Sequence, residues 1–165
     1  MSVTPVVRKR LEVQGFCNLD DATMGELAPW MRWSPAICTC IFAVGVALRS
    51  PAVLWGLVPF SLLGALLPFH PFDLVYNHVV RYATGTGPLP RHGAQRRFAC
   101  SLATAWLIAT GAAFATGHTV LGLVLGLSLT AVGALVSFTH ICIPSMIYNA
   151  TLGRRAAAVV GEGAR

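Results

Sequence analysis

The 165-residue chain has little charge: 11% of its residues are Asp, Glu, Lys or Arg, against 55% apolar ones. A small soluble core cannot absorb that apolar excess, so the composition reads as that of a membrane protein. Acids are scarcest, and Asp73 is the only one between Glu26 and Glu162. The long apolar runs contain no Asp, Glu, Lys or Arg, which argues against ion pumps and proton-coupled transporters, since these need an intramembrane carboxylate. No Ser-His-Asp set, phosphate loop, carboxylate pair or dinucleotide fingerprint occurs, so ordinary enzyme signatures are missing. Neither C-x-x-C nor H-x-x-H is present, and no metal or cofactor is expected. No unbroken apolar core follows Arg8-Lys9-Arg10, where "LEVQGFCNLDD" is mixed, so a cleaved secretion signal is not expected. The five cysteines are odd in number and lack framework spacing, which points to reduced thiols.

What is present is four apolar segments. They run over about 33–48, 52–69, 98–116 and 119–143, and the first two are near the shortest length that spans a bilayer, about 17 residues. Short turns at Arg49-Ser50-Pro51 and Gly117-His118 join them into two helical hairpins. Pro35 and Pro59 shorten the regular helix of the first hairpin, leaving a re-entrant arrangement as the alternative. The fold class expected is an all-α integral membrane domain over 33–152, between an N-terminal segment (1–32) and a tail (153–165).

The net charge of +6 does not mark a nucleic-acid binder, because the basic residues sit in short clusters between apolar blocks without an aromatic groove. They orient the chain instead. Four precede the first span (Arg8, Lys9, Arg10, Arg32), four lie in the central loop (Arg81, Arg91, Arg96, Arg97) and three follow the last (Arg154, Arg155, Arg165). Only Arg49 lies in a hairpin turn, so both termini and the central loop are expected in the cytoplasm of a bacterial inner membrane.

In the central loop, "PFDLVYNHVVRYATG" reads as an interfacial helix over about 71–84, with Pro at its first turn and Asp73 favoured by the helix dipole. Phe72, Val75, Tyr76, Val79 and Ala83 form its apolar face, and a Gly/Pro linker follows. In the N-terminal segment, Thr23 and Glu26 have capping-box spacing for a short surface helix, with Trp30 and Trp33 as headgroup anchors. Gly122, Gly126, Thr130 and Ala134 repeat every four positions, a small-residue stripe for packing the second hairpin or for self-association into a homo-oligomer. Ala105, Ala109 and Ala112 or Ala113 offer the facing surface.

The cysteines all map to the inner half: Cys17, Cys38, Cys40, Cys100 and Cys142. His70 and His140 share that level, His78 and His92 lie in the central loop, and only His118 faces the other side. Unconnected packing thiols are one reading and a shared site the other. Cys38 and Cys40, like His140 and Cys142, are two apart and point in opposite directions on a helix. Pro144 should end or loosen the last helix, letting His140 and Cys142 converge, while Arg96, Arg97, Arg154 and Arg155 favour a thiolate. Cys142 is therefore the candidate reactive thiol. His70 and Asp73 in "HPFD" are a second candidate pair, with a helix cap as the plainer role.

The segments "LAPWMRWSPAIC", "LLPFHPFDLVYNHVVRYATGTGPLP", "RRFAC" and "CIPSMIY" resemble a bacterial membrane family known as domain of unknown function 4395, over about residues 19–152. Many members of that family end the last helix with C-x-x-C before the tyrosine, and some are encoded near thioredoxin-like and rhodanese-like proteins. The resemblance thus implies thiol or sulfur handling with a soluble partner of thioredoxin-like or sulfurtransferase type. Cys142 falls on the first cysteine of that pair and Ser145 replaces the second, so dithiol cycling through the motif itself is lost. The alternative is a non-catalytic accessory subunit of a larger respiratory or photosynthetic membrane complex, in which His140 or His70 contacts haem or pigment.

The charge asymmetry sets a test. A reporter fused after Arg165 should be cytoplasmic, and one inserted at Gly117-His118 should be exported; an exported C-terminus would overturn the orientation.

Overall fold

The computed structural model describes residues 3–17 and 19–153, and among them the secondary structure is entirely helical. The tail and its arginines 154, 155 and 165 lie outside the described residues. Two short helices, α1 (Pro5–Val13) and α2 (Asp21–Leu27), precede a 3-10 turn, Trp30–Arg32, that leads into α3 (Trp33–Ala47). α4 (Pro51–Leu66) completes the first hairpin. α5 (Pro71–Val75) continues through a π turn, Tyr76–Val80, into α6 (Arg81–Thr84). α7 (Ala94–Ala115) and α8 (Thr119–Thr139) form the second hairpin, and α9 (Ile143–Tyr148) ends in a π turn, Asn149–Gly153.

Among the described residues three stretches are long and apolar enough to cross a membrane: Trp30–Ala47, Ala94–Ala115 and Thr119–Thr139. α4 has 16 residues, about 24 Å at 1.5 Å per residue, short of a hydrocarbon core of about 30 Å. Only if α4 and the 71–84 segment, bent by 82° relative to each other, count as one span does the number reach four. The two prolines do not interrupt the first hairpin. Pro35 occupies the first turn of α3, where its missing N–H costs nothing, and Pro59 stands within a continuous α4 on its exposed side.

α3, α4, α7 and α8 close a ring in which α3 packs on α4 and α8, and α7 on the same two. Phe42, Val46, Leu54, Leu57 and Leu107 form the core between them. A second core, Leu11, Phe16, Met24, Leu27, Ala28 and Met31, joins the N-terminal helices at one end of the bundle. The N-terminal segment reaches the bundle where α8 ends. His140 closes α8 in the left-handed conformation (φ 59°), and the last carbonyls of the helix take donors from the N-terminal segment. Arg10 donates to Thr139 O at 2.8 Å, Arg32 to Phe138 O at 3.2 Å and Gln14 to His140 O at 2.8 Å. Orphan carbonyls and the negative end of the helix dipole thereby meet amide and guanidinium donors.

Several local expectations are corrected. α2 is capped by Asp20, which accepts from the N–H groups of Ala22 and Thr23, and not by a Thr23–Glu26 box; Glu26 accepts from Gly87 N–H instead. In the 71–84 helix Asp73 and Tyr76 face inward while Val75, Val79 and Ala83 are exposed, so the buried face is centred on the acid, whose donors lie inside, and not on the apolar residues expected. Trp30 and Trp33 are half-buried against Tyr76, at ring distances of 5.3 and 6.1 Å, and Trp33 Nε1 donates to Phe72 O.

On α8, Gly122 meets Phe114 of α7, and Gly126 meets α3, where an added Cβ would stand 2.7 Å from Val46. Thr130 turns its hydroxyl back to Gly126 O, and Gly133, one residue before Ala134, makes the next close approach, against Thr39. Gly126→Leu should therefore lower stability by about 1–3 kcal/mol or more through overpacking. Gly56→Leu, where nothing lies within 4 Å, should be tolerated. Folded yield in detergent checks both.

Candidate functional site

A half-enclosed cavity of about 380 Å³ opens between α3, α4, α7 and α8, with α1 and α9 at its end. Its walls are mostly apolar, and its polar members are few: Cys38, His70, Arg96, Cys100, Cys142 and Gln14 stand out. Each is placed by its helix. Ser34 and Cys38 lie four apart on α3, as do Arg96 and Cys100 on α7, so each pair shares one helical face turned inward. His70 precedes α5, whose first turn it caps: its Nδ1 accepts from Phe72 N–H at 3.3 Å. Gly64 of α4 leaves room for that ring, because a Cβ there would stand 2.5 Å from His70 Cδ2 and 3.2 Å from Cys100 Sγ.

The Nδ1 contact fixes the imidazole tautomer, leaving the proton on Nε2, which lies 3.7 Å from Cys38 Sγ. His70 thus presents an N–H and not a basic lone pair to the thiol. Burial above all pushes its pKa down to about 4, with Arg96 and His92 adding to the effect against the pull of Asp73.

Behind His70 lies a buried carboxylate. Asp73 accepts from His92 Nε2 at 2.6 Å, from the backbone N–H of His70 at 3.2 Å and from the Ser34 hydroxyl. Burial opposes its charge, but the His92 contact, the charge of Arg96 and the Ser34 bond outweigh burial and hold the carboxyl well below the usual range. His92 is pushed down as well, first by burial and then by Arg96. A pair with both partners displaced downward is a carboxylate hydrogen-bonded to a neutral imidazole, not an ion pair. Among the described residues, His92 Nδ1 has no hydrogen-bond partner.

The cavity does not gather every residue singled out by the sequence. Cys142 does line it, but is only 8% exposed and accepts a hydrogen bond from Ser145 Oγ at 3.1 Å. It is therefore not a water-exposed thiol at the helix edge. The break comes earlier than Pro144: α8 stops at Thr139, and Pro144 stands in the first turn of a new helix, α9. His140 and Cys142 do not converge, since His140 lines a separate pocket with Arg10 and Arg32. Arg97 is spent on Ala65 O and Leu66 O at the end of α4. Cys17 and Cys40 are exposed and outside the cavity. Among the described residues no group of three or more His, Cys, Asp or Glu side chains is arranged to hold a metal ion. Sequence reasoning missed Gln14, Arg96 and His92 as site residues. The four-residue spacing of Arg96 and Cys100 was the available signal for one of them.

An all-helical chain with several helices apolar enough for a bilayer, and with three thiols, an imidazole and a guanidinium around one cavity, defines a small helical membrane protein with an internal site. The chain belongs to the family described as Domain of unknown function (DUF4395), which matches residues 28–152. The match begins at residue 28 and not near 19, and takes in every polar cavity residue named above except Gln14. Comparison with curated proteins and with solved structures gives no match.

The buried groups imply a pH dependence. Unfolded histidine titrates near 6.5, whereas His70 in the fold titrates at about 4, so between those values the unfolded chain binds more protons and stability falls as pH falls. His70 alone should account for about 3 kcal/mol across that window, and His92 acts in the same direction. Asp73, depressed in the fold, adds a further loss at lower pH as it is protonated. Melting temperature in detergent should drop steadily from pH 7 to pH 4.5. Asp73→Ala at pH 7 should cost at least about 1–3 kcal/mol, the range for leaving a buried donor without its acceptor.

Proposed function

We propose that the chain is a bacterial inner-membrane protein that assists thiol or sulfur chemistry, working with a soluble thioredoxin-like or sulfurtransferase partner. Its four helices α3, α4, α7 and α8 span as two hairpins, the 71–84 helix lies in the cytoplasmic interface, and both termini are cytoplasmic. The charge distribution supports that orientation, and the exposed apolar residues Val75, Val79 and Tyr82 support the interfacial placement.

The observation that carries the thiol reading is the meeting of Cys38 on α3, Cys100 on α7 and Cys142 in the turn before α9 on one cavity. Ser145 cannot resolve a mixed disulfide, but Cys100 or Cys38 can stand in for the missing cysteine. In the exchange, the sulfur of Cys142 attacks a partner disulfide, forming a mixed disulfide and releasing one partner thiol. A second cavity thiol then attacks Cys142, closing an internal disulfide and releasing the other partner thiol. Two electrons pass to the partner and two protons accompany them. The buried position of Cys142 favours instead, as a second reading, an accessory subunit in which these thiols only pack.

Mild oxidation of membranes should join Cys142 to Cys100 or Cys38, as mapped by mass spectrometry of peptides, and Cys142→Ser should abolish the cross-link. If all three remain free thiols while exposed Cys17 reacts, the accessory-subunit reading takes precedence.

A further inference from the structure

Arg96 is 7% exposed, and burying a guanidinium is costly unless its charge and its five N–H donors are met. Its Nη2 donates to Met31 O at 3.0 Å, and its Cζ stands 5.5 Å from the centre of the Phe16 ring. Among the described residues no carboxylate lies within 4.0 Å of it. Asp73, the one acid in this part of the chain, is already engaged by His92, Ser34 and the His70 N–H. The Nε and Nη1 groups of Arg96 have no acceptor among the described residues and are not fully buried, and Arg96 lines the cavity. The first turn of the 22-residue α7, in which Arg96 sits, adds the positive end of the helix dipole.

The rest of the cavity sets the other half of a ligand. Phe42, Leu57, Ala103, Leu107, Leu129 and Val132 offer an apolar wall. At about 380 Å³ the space sits near the low end of the range for small-molecule sites, about 300–1,000 Å³, which suits one chain and not a two-chain phospholipid. From these observations we infer that the cavity binds a single-chain amphiphile with a carboxylate head, the head accepting a charge-assisted hydrogen bond from a free N–H of Arg96, on Nε or Nη1, and the apolar chain lying on the wall. A carboxylate oxygen meets both the unpaired donor and the guanidinium charge. The assignment does not use the cysteines, and so stands apart from the thiol reading.

The test is displacement of parinaric acid, a fatty acid that fluoresces in apolar sites, from the full chain in non-ionic detergent. Palmitate should displace it at a concentration about tenfold lower than hexadecanol does, the difference expected for a charge-assisted hydrogen-bonded head. Arg96→Gln should erase that difference and Arg96→Lys should retain part of it. Ala103→Trp, which fills the cavity and leaves Arg96 in place, should remove the displaceable signal, and decides the matter if Arg96→Gln does not fold. Replacing Cys38, Cys100 and Cys142 together by Ser should leave the preference for palmitate intact. Equal displacement by palmitate and hexadecanol in the unmodified chain, a preference that survives Arg96→Gln, or a signal that survives Ala103→Trp would each overturn the assignment. Any of those results alongside a Cys142 disulfide would leave the thiol reading standing.

Discussion

The buried carboxylate of Asp73 is the contact on which the arrangement of this protein turns. In a chain this poor in charge, an acid away from water is tolerable only if its oxygens are met by donors. They are met from three directions: Ser34 on α3, His92 in the linker before α7 and the backbone N–H of His70 at the end of the first hairpin. One side chain thus ties both hairpins and the segment between them. Because His70 belongs to the same knot, its ring is carried over Gly64 toward Cys38 and Cys100. The cavity inherits its geometry from an interaction that lies just outside it.

A second constraint comes from the ends of α8. A helix of 21 residues leaves its last carbonyls without partners, and here the N-terminal segment supplies them through Arg10, Gln14 and Arg32. The same segment brings Gln14 to the cavity and sets Phe16 beneath Arg96. Capping a long apolar helix and closing the polar end of the cavity are therefore one event. The left-handed turn at His140 makes this geometry reachable, by turning the chain sharply before α9 begins.

The two proposals concern different groups on the same walls. Thiols from α3, α7 and the turn before α9 share the space with a guanidinium that makes no salt bridge among the described residues. If both hold, the ligand head at Arg96 and the sulfur chemistry at Cys100 and Cys142 occupy neighbouring positions, since Arg96 and Cys100 stand one helical turn apart on α7. A bound amphiphile would then control access to the thiols from the open side of the cavity.

The sequence alone determined the all-helical class, the apolar helices and the two short turns, because long uncharged runs and their breaks are local properties that a lipid environment reads directly. Family membership was legible too, through contiguous segments such as "LLPFHPFDLVYNHVVRYATGTGPLP". Helix ends were read less well: Asp20 took the cap expected of Thr23, and α8 stopped at Thr139 before Pro144 could end it. Those outcomes depend on which donors tertiary contacts deliver. The face of the 71–84 helix was also hidden, since the donors that turn Asp73 inward, Ser34 and His92, come from distant parts of the chain. Only the tertiary structure separated His140 from Cys142, buried Cys142, and joined Cys38, Cys100, His70 and Arg96. Spacing along one helix tells which side chains share a face. Which faces of different helices meet is decided by close approaches such as Gly126 on Val46 and by the donors that a buried carboxylate requires.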